Sequence, residues 1–176
     1  MKIPVDIQLE NAVIGAVISE PETYDGVSEY FNIKGVLYQE KATMLWNLIG
    51  DLKRGDEHID FITLSSHLTD DHHRNGLTKD YIIDVLSNVG VSGTAPLYAK
   101  RVYEKYLLRK VVDESRKIEK MAMSNSGETY DTLTSAHSLI GELIELRPDI
   151  RFEIEEEVVD AINAITNADK RIIKTG

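Results

Sequence analysis

Three groups of side chains have the types and spacing from which chemistry could be built. His67, His72 and His73 lie close in the chain to Asp70 and Asp71, a donor set that suits a transition metal. Glu155, Glu156 and Glu157 offer carboxylates for general acid/base work. Lys100, Arg101, Lys105, Arg109 and Lys110, interleaved with Tyr98, Tyr103 and Tyr106, offer cations and flat rings to a nucleic acid. Each group also has a plainer reading. Metal ligands must converge at bonding distance, whereas adjacent residues of Asp70-Asp71-His72-His73-Arg74-Asn75-Gly76 point apart in what reads as a solvated polar turn. Catalytic carboxylates need separate, partly buried environments, and three consecutive glutamates on a helix face water. The basic set is interrupted by Glu104, Asp113 and Glu114, so ion pairs within a helix or between subunits are the expected use. The tyrosines fit a core or an interface, where a ring packs and its hydroxyl reaches a rim.

Phosphate chemistry lacks its parts. The chain contains no G-x-x-x-x-G-K-[ST] loop and no G-x-G-x-x-G, so nothing in it reads as a cradle for a nucleotide phosphate. No catalytic, cofactor-binding or metal-ligating residue is assigned, no cofactor is expected, and the chain is read as not an enzyme. The net charge of −10 argues against non-specific DNA binding, which needs many cations to displace counterions. Contact with DNA is expected to be weak or indirect. Cysteine is absent, which removes disulfides and thiolate ligands. No apolar run reaches the length of a membrane span, and the opening residues hold no signal core, so a cytoplasmic protein without membrane contact is expected.

The elements that would position these groups are helical throughout. With 42% apolar and 28% charged residues over 176 positions, the chain can bury a core. Leu9, Val13, Ile14, Ala16 and Val17 recur at helical spacing until Glu20-Pro21 ends the segment. A second short helix runs through Val27 to Phe31. A third carries Met44, Leu45, Leu48, Ile49 and Leu52, with Gly55 as its stop. Ile62, Leu64 and Leu68 give a fourth, and Thr78 caps a fifth containing Tyr81, Ile82, Val85 and Leu86. Past a loop at 88–93, a long helix spans about 95–123, and another spans about 129–146 with Leu133, Ala136, Ile140, Leu143 and Ile144. Together these two make a helical hairpin. Beyond Arg147-Pro148-Asp149, Ile154, Val158, Ile162 and Ile165 share one face of a last amphipathic helix. The expectation is an all-α fold. Residues 1–93 form a small globular bundle, 94–147 a long hairpin of the same domain, and 148–176 a separate C-terminal linker helix and tail. The apolar positions of the long helix spread beyond one narrow stripe, so Tyr103, Tyr106, Leu107, Val111, Leu133 and Ile140 are expected to form a self-association or partner surface.

Several of these segments resemble the N-terminal domain of DnaB-type replicative helicases, in sequence order. Leu9-Glu10-Asn11-Ala12-Val13-Ile14-Gly15-Ala16-Val17-Ile18 is similar to that family's first helix. Leu37-Tyr38 and Leu45-Trp46-Asn47-Leu48-Ile49 resemble its aromatic third helix. Gly55 with Ile59-Asp60-Phe61-Ile62-Thr63-Leu64 and Leu68 resembles its Gly-x-x-Ile-Asp-x-x-Thr-Leu segment, with one more residue between Gly and Ile. Tyr98-Ala99-Lys100-Arg101-Val102 through Leu108-Arg109-Lys110 resembles its hairpin helix, Tyr-Ala then Leu-Arg-Lys. The departures are Ala42-Thr43, where the family often has His-Arg, and Leu37-Tyr38, where it has Phe-Tyr. The resemblance covers roughly residues 4 to 146. It implies a helicase module that supports assembly of a dimer-based homo-oligomer, up to a hexameric ring collar, and docks primase in the primosome. It also implies that the linker-helix face of Ile154, Val158, Ile162 and Ile165 docks on the ATPase domain of a neighbouring subunit. Lys174-Thr175-Gly176 falls where that ATPase domain would begin, so a piece of a longer helicase is expected. The competing expectation is a freestanding adaptor of the same fold, a loader or inhibitor that binds a helicase ring.

Overall fold

The computed structural model describes residues 3–88, 92–124 and 129–146. All regular structure in them is helical: α1 (Ile7–Ser19), α2 (Tyr24–Phe31), α3 (Glu40–Arg54), α4 (Phe61–Ser66), α5 (Asp70–Arg74), α6 (Lys79–Ser87), α7 (Ala95–Ser124) and α8 (Thr129–Glu145), with single 3-10 turns at Pro21–Thr23 and Ser92–Thr94. The chain divides into two compact units, Met1–Arg109 and Lys110–Gly176. The division falls inside α7, so the first unit takes the first half of the long helix.

Short polar side chains start the helices. Asp6 accepts from the Leu9 N–H at 3.1 Å, Asp60 from Thr63 at 2.8 Å, and Thr78 from Tyr81 at 3.2 Å, each satisfying a donor the helix leaves open. The stretch read as a polar turn is instead the helix α5. Thr69 caps it, and the His72 ring returns a bond to the Thr69 N–H at 3.1 Å, closing a capping box with histidine in the usual Glu position. It ends in a Schellman turn, with Leu77 N–H on the His72 carbonyl at 2.9 Å and Gly76 N–H on that of His73 at 3.2 Å. Gly76 takes φ +84, and the turn delivers Leu77 to full burial. The α3 terminus differs from expectation in the same detail. Gly55 has an ordinary φ of −79, and Asp56, at φ 54, supplies the left-handed residue. Aspartate tolerates that conformation better than most side chains.

The core of the first unit gathers Val13, Ile14 and Val17 from α1, Leu45, Ile49 and Leu52 from α3, Leu64 and Leu77 from the α4–α6 region, and Ile82 and Val85 from α6. α1 packs against α6 and α3 and is apolar around most of its circumference, which is why its pattern is not a single stripe. Trp46 organises the aromatic part. Tyr24 stacks on it at 5.0 Å, Phe31 meets it edge-on at 5.3 Å, and its indole N–H donates to Asn32 Oδ1 at 2.9 Å. Tyr30, Tyr103 and Tyr106 continue the ring contacts onto α7. On α4, Leu64 is buried while Ile62 is exposed.

Two ions sit within this apolar setting. The Glu10 side chain is buried; its Oε2 accepts the Tyr38 N–H at 3.1 Å, while Oε1 has no hydrogen-bond partner among the described residues. Arg109, at the end of the unit, donates to the carbonyls of Pro4 at 3.1 Å, Gly35 at 3.1 Å and Val36 at 2.5 Å. Its guanidinium also lies over the Tyr38 ring at 5.6 Å. Burial raises the Glu10 pKa above its ordinary value, against the opposing pull of the Tyr38 N–H and the Arg109 charge.

Two predictions follow from these local geometries. Gly76→Ala puts a side chain at a left-handed φ where the only near neighbour is the Lys41 stem at 3.9 Å, so the cost is backbone strain of about 1–2 kcal/mol. Gly55→Ala, at a normal φ with ordinary contacts from 3.5 Å, changes stability by no more than about 0.5 kcal/mol. Urea unfolding of both variants checks the contrast, and equal losses would refute it. The raised Glu10 pKa stabilises the fold fully below the ordinary carboxyl value, and that contribution is lost as pH rises through the folded value. Glu10→Gln cannot titrate, so its stability relative to the parent rises between pH 4.5 and pH 8. Denaturation at the two pH values reads this directly, and a constant difference would contradict it.

Candidate docking surface on the helical hairpin

The residues expected to form a partner surface separate into three fates. Tyr103 and Tyr106 are 2% and 6% exposed and belong to the core of the first unit in the single chain. The reason is geometric. Their rings close over Tyr30 and the Arg109 guanidinium instead of turning to solvent. Leu107 is half-buried against the same core. Val111, Leu133 and Ile140 are exposed, at 45%, 58% and 49%. The linker-helix face of Ile154, Val158, Ile162 and Ile165 lies outside the described residues, as do Glu155, Glu156 and Glu157.

The second unit is built from the later half of α7 and from α8. Glu142 on α8 contributes to the field that raises the Lys117 pKa on α7, after the hydrogen bond from Lys117 to Glu114 at 2.8 Å. On α8 no side chain is fully buried. Thr132, Ala136, Leu139 and Leu143 are half-buried, and at about 100° per residue they share one face. Tyr130, Leu133, Ile140 and Ile144 are exposed and make a second stripe, roughly 100° around the helix from the first. Tyr130 is 79% exposed and Ile144 is 55% exposed. His137 and Gly141 complete this outer face, and a side chain added at Gly141 would meet nothing within 4 Å. The helix thus carries apolar residues on two adjacent faces, one half-buried and one exposed among the described residues. Sequence spacing grouped Leu133, Ala136, Ile140, Leu143 and Ile144 as one set and passed over Tyr130 and His137; the split emerges once the half-buried face is known.

The other groups with chemical potential have structural occupations. His72 is a cap, and His67 faces Glu57 at 3.6 Å. Among the described residues, no set of three or more His, Cys, Asp or Glu side chains could hold a metal ion. Arg109 binds backbone carbonyls, and Arg101 lies over the Tyr98 ring at 5.6 Å. The acidic residues of α7 are used locally: Asp113 pairs with Arg116, and Glu114 with Lys117. No described helix is long and apolar enough to cross a membrane.

Comparison with known proteins places this architecture. The replicative DNA helicase DnaC of Bacillus subtilis (strain 168) is 25% identical over 159 residues, covering 89% of this chain and 34% of the relative. The replicative DNA helicase DnaB of Leifsonia xyli subsp. xyli (strain CTCB07) is 28% identical over 140 residues, covering 78% of this chain and 30% of the relative. The chain therefore spans about a third of the length of these relatives. In fold it matches the N-terminal domain of DnaB helicase from Mycobacterium tuberculosis, with a TM-score of 0.69 and 23% identity, covering 79% of this chain and 99% of that one. It also matches a DnaB-like replicative helicase studied with its interactions with primase, with a TM-score of 0.60 and 18% identity, covering 86% of this chain and 35% of that one. The family model for the DnaB-like helicase N-terminal domain matches residues 2–104, more than half of the sequence, and the chain belongs to that family.

Proposed function

We propose that this chain is a non-catalytic N-terminal module of a replicative DNA helicase, acting in the cytoplasm to assemble the oligomeric collar of the ring and to dock primase. The uncovered stripe of α8, Tyr130, Leu133, Ile140 and Ile144, carries this reading. A stripe of that size in water costs free energy that burial against a partner recovers, at roughly 25 cal/mol per Å² of apolar surface. A second copy of the chain offers the same stripe, and a two-fold pairing covers both at once. Family membership and the relatives' names support a helicase context. A fold neighbour studied with primase supports primase as the partner of the assembled collar. Any unwinding would belong to an ATPase domain, whose phosphate-binding motif this sequence does not contain. The linker face of Ile154, Val158, Ile162 and Ile165 would dock on such a domain of a neighbouring subunit.

Leu133→Glu with Ile140→Glu puts two charges on exposed positions, so the fold survives and self-association is lost. Sedimentation should show an oligomer for the parent chain and a monomer for the double variant, with unchanged helicity by circular dichroism. An unaltered oligomer in the folded double variant would move the surface elsewhere. The purified chain should also release no phosphate from ATP beyond a buffer blank, and steady turnover would rule out the non-catalytic assignment.

A further inference from the structure

Asn75 is the only asparagine of the sequence that is followed by glycine. That order matters chemically. The backbone nitrogen of the next residue can attack the asparagine amide carbon, and every other asparagine here precedes a residue whose Cβ crowds that approach. Space around Gly76 is open as well, since a Cβ built on it meets only the Lys41 stem, at 3.9 Å. Asn75 is exposed, so water and base reach it. We propose that Asn75–Gly76 is a self-modification site, at which the chain converts its own asparagine to aspartate or isoaspartate, and that opening of α5 gates the reaction.

The step balances without a cofactor. Gly76 N loses its proton to solvent and bonds to Asn75 Cγ. The Cγ–Nδ2 bond breaks and ammonia leaves, closing a cyclic imide. Water then adds to either imide carbonyl. Breaking the Cγ–N bond yields aspartate. Breaking the bond from the Asn75 carbonyl carbon to Gly76 N yields isoaspartate, with the main chain rerouted through the side chain. Nothing is oxidised or reduced.

The folded turn holds the reacting atoms apart. Asn75 has ψ 10, which swings the Gly76 nitrogen over the Asn75 nitrogen and away from Cβ. Its Nδ2 donates to the Asp71 carbonyl at 3.0 Å, and the Gly76 N–H donates to that of His73 at 3.2 Å. These restraints all belong to α5 and are lost when it opens. Opening costs little, because α5 has five residues, none of them fully buried, and its start rests on the Thr69–His72 capping box. The products do not fit the closed turn. Aspartate lacks the Nδ2 donor and sets a carboxylate against the Asp71 carbonyl at a helix C-terminus. Isoaspartate inserts a main-chain methylene between the His73 carbonyl and the Gly76 N–H. Leu77 follows directly and is fully buried, so modification loosens a core side chain.

The test is incubation of the full chain at pH 8 with peptide mapping by mass spectrometry, beside the same chain held unfolded in urea. In urea Asn75 should convert ahead of the other asparagines, and in the folded chain about tenfold more slowly or less. Thr69→Ala removes the α5 cap and should speed conversion in the folded chain about fivefold, the change in open population that loss of one cap produces. Asp60→Ala removes a cap of the same kind from α4 and should leave the rate unchanged. Asn75→Asp, which is one of the two products, should unfold at a lower urea concentration than the parent. Conversion of the folded parent at the unfolded rate would overturn the gate. Equal acceleration by Thr69→Ala and Asp60→Ala would overturn it too, by routing the reaction through global unfolding. An Asn75 that stays intact in the folded parent and in Thr69→Ala, while reacting in urea, would remove the site itself. Equal urea midpoints for Asn75→Asp and the parent would overturn the loosening of Leu77.

Discussion

Burying Glu10 strips water from its carboxylate, and an ionised carboxyl survives such a place only with donors and a cation nearby. The Tyr38 N–H and the Arg109 charge supply them. What makes this pair central is where its members come from. Glu10 stands on α1, Tyr38 on the irregular stretch before α3, and Arg109 on α7. That stretch has no helix to absorb its carbonyls, so the Gly35 and Val36 oxygens need another partner, and the Arg109 guanidinium binds both while reaching back to Pro4. One cation thus ties the start of the chain and the connection between α2 and α3 to the long helix. Tyr81 extends the network on the α6 side, donating to Asn11 Oδ1 at 2.9 Å, and its phenol is pushed above its usual pKa range by burial and by the Glu10 charge.

The apolar core and the polar knot place different demands on sequence. Val13, Ile14, Leu45, Ile49 and Ile82 need only to be apolar and of suitable volume. Glu10 and Arg109 need a specified length, charge and direction. A fold held this way can drift across its core while its shape persists. The low identity to solved relatives that share the fold is consistent with that division, since 23% identity accompanies a TM-score of 0.69.

Much of this was legible in the sequence for physical reasons. Helical periodicity located α7 and α8 to within a residue or two, because long amphipathic segments repeat their signal many times. Thr78 and Asp60 announce helix starts through side-chain chemistry that acts over three residues. The misreadings arise where the deciding contact is distant or the pattern short. α5 has five residues, too few for any period, and only the His72–Thr69 exchange reveals it. Asp56 took the left-handed position that Gly55 advertises, because spacing does not say which of two adjacent residues turns the corner. Tyr103 and Tyr106 read equally well as interface or core, and in the single chain they are buried, with the distant Tyr30 ring packed against Tyr103. The bonds of Arg109 to Pro4 and Val36 span 105 and 73 residues and leave no local trace.

The outer face of α8 obeys a different rule from either the core or the knot. Its residues are exposed, so their contribution to folding is small and substitutions there cost the fold little. The half-buried face of Thr132, Ala136, Leu139 and Leu143 fixes the direction in which the other stripe points. Among the described residues, Tyr130 at 79% exposure and Leu133 at 58% lie on one face of α8 beside the half-buried one, so they form a stripe and not a scatter of surface hydrophobics.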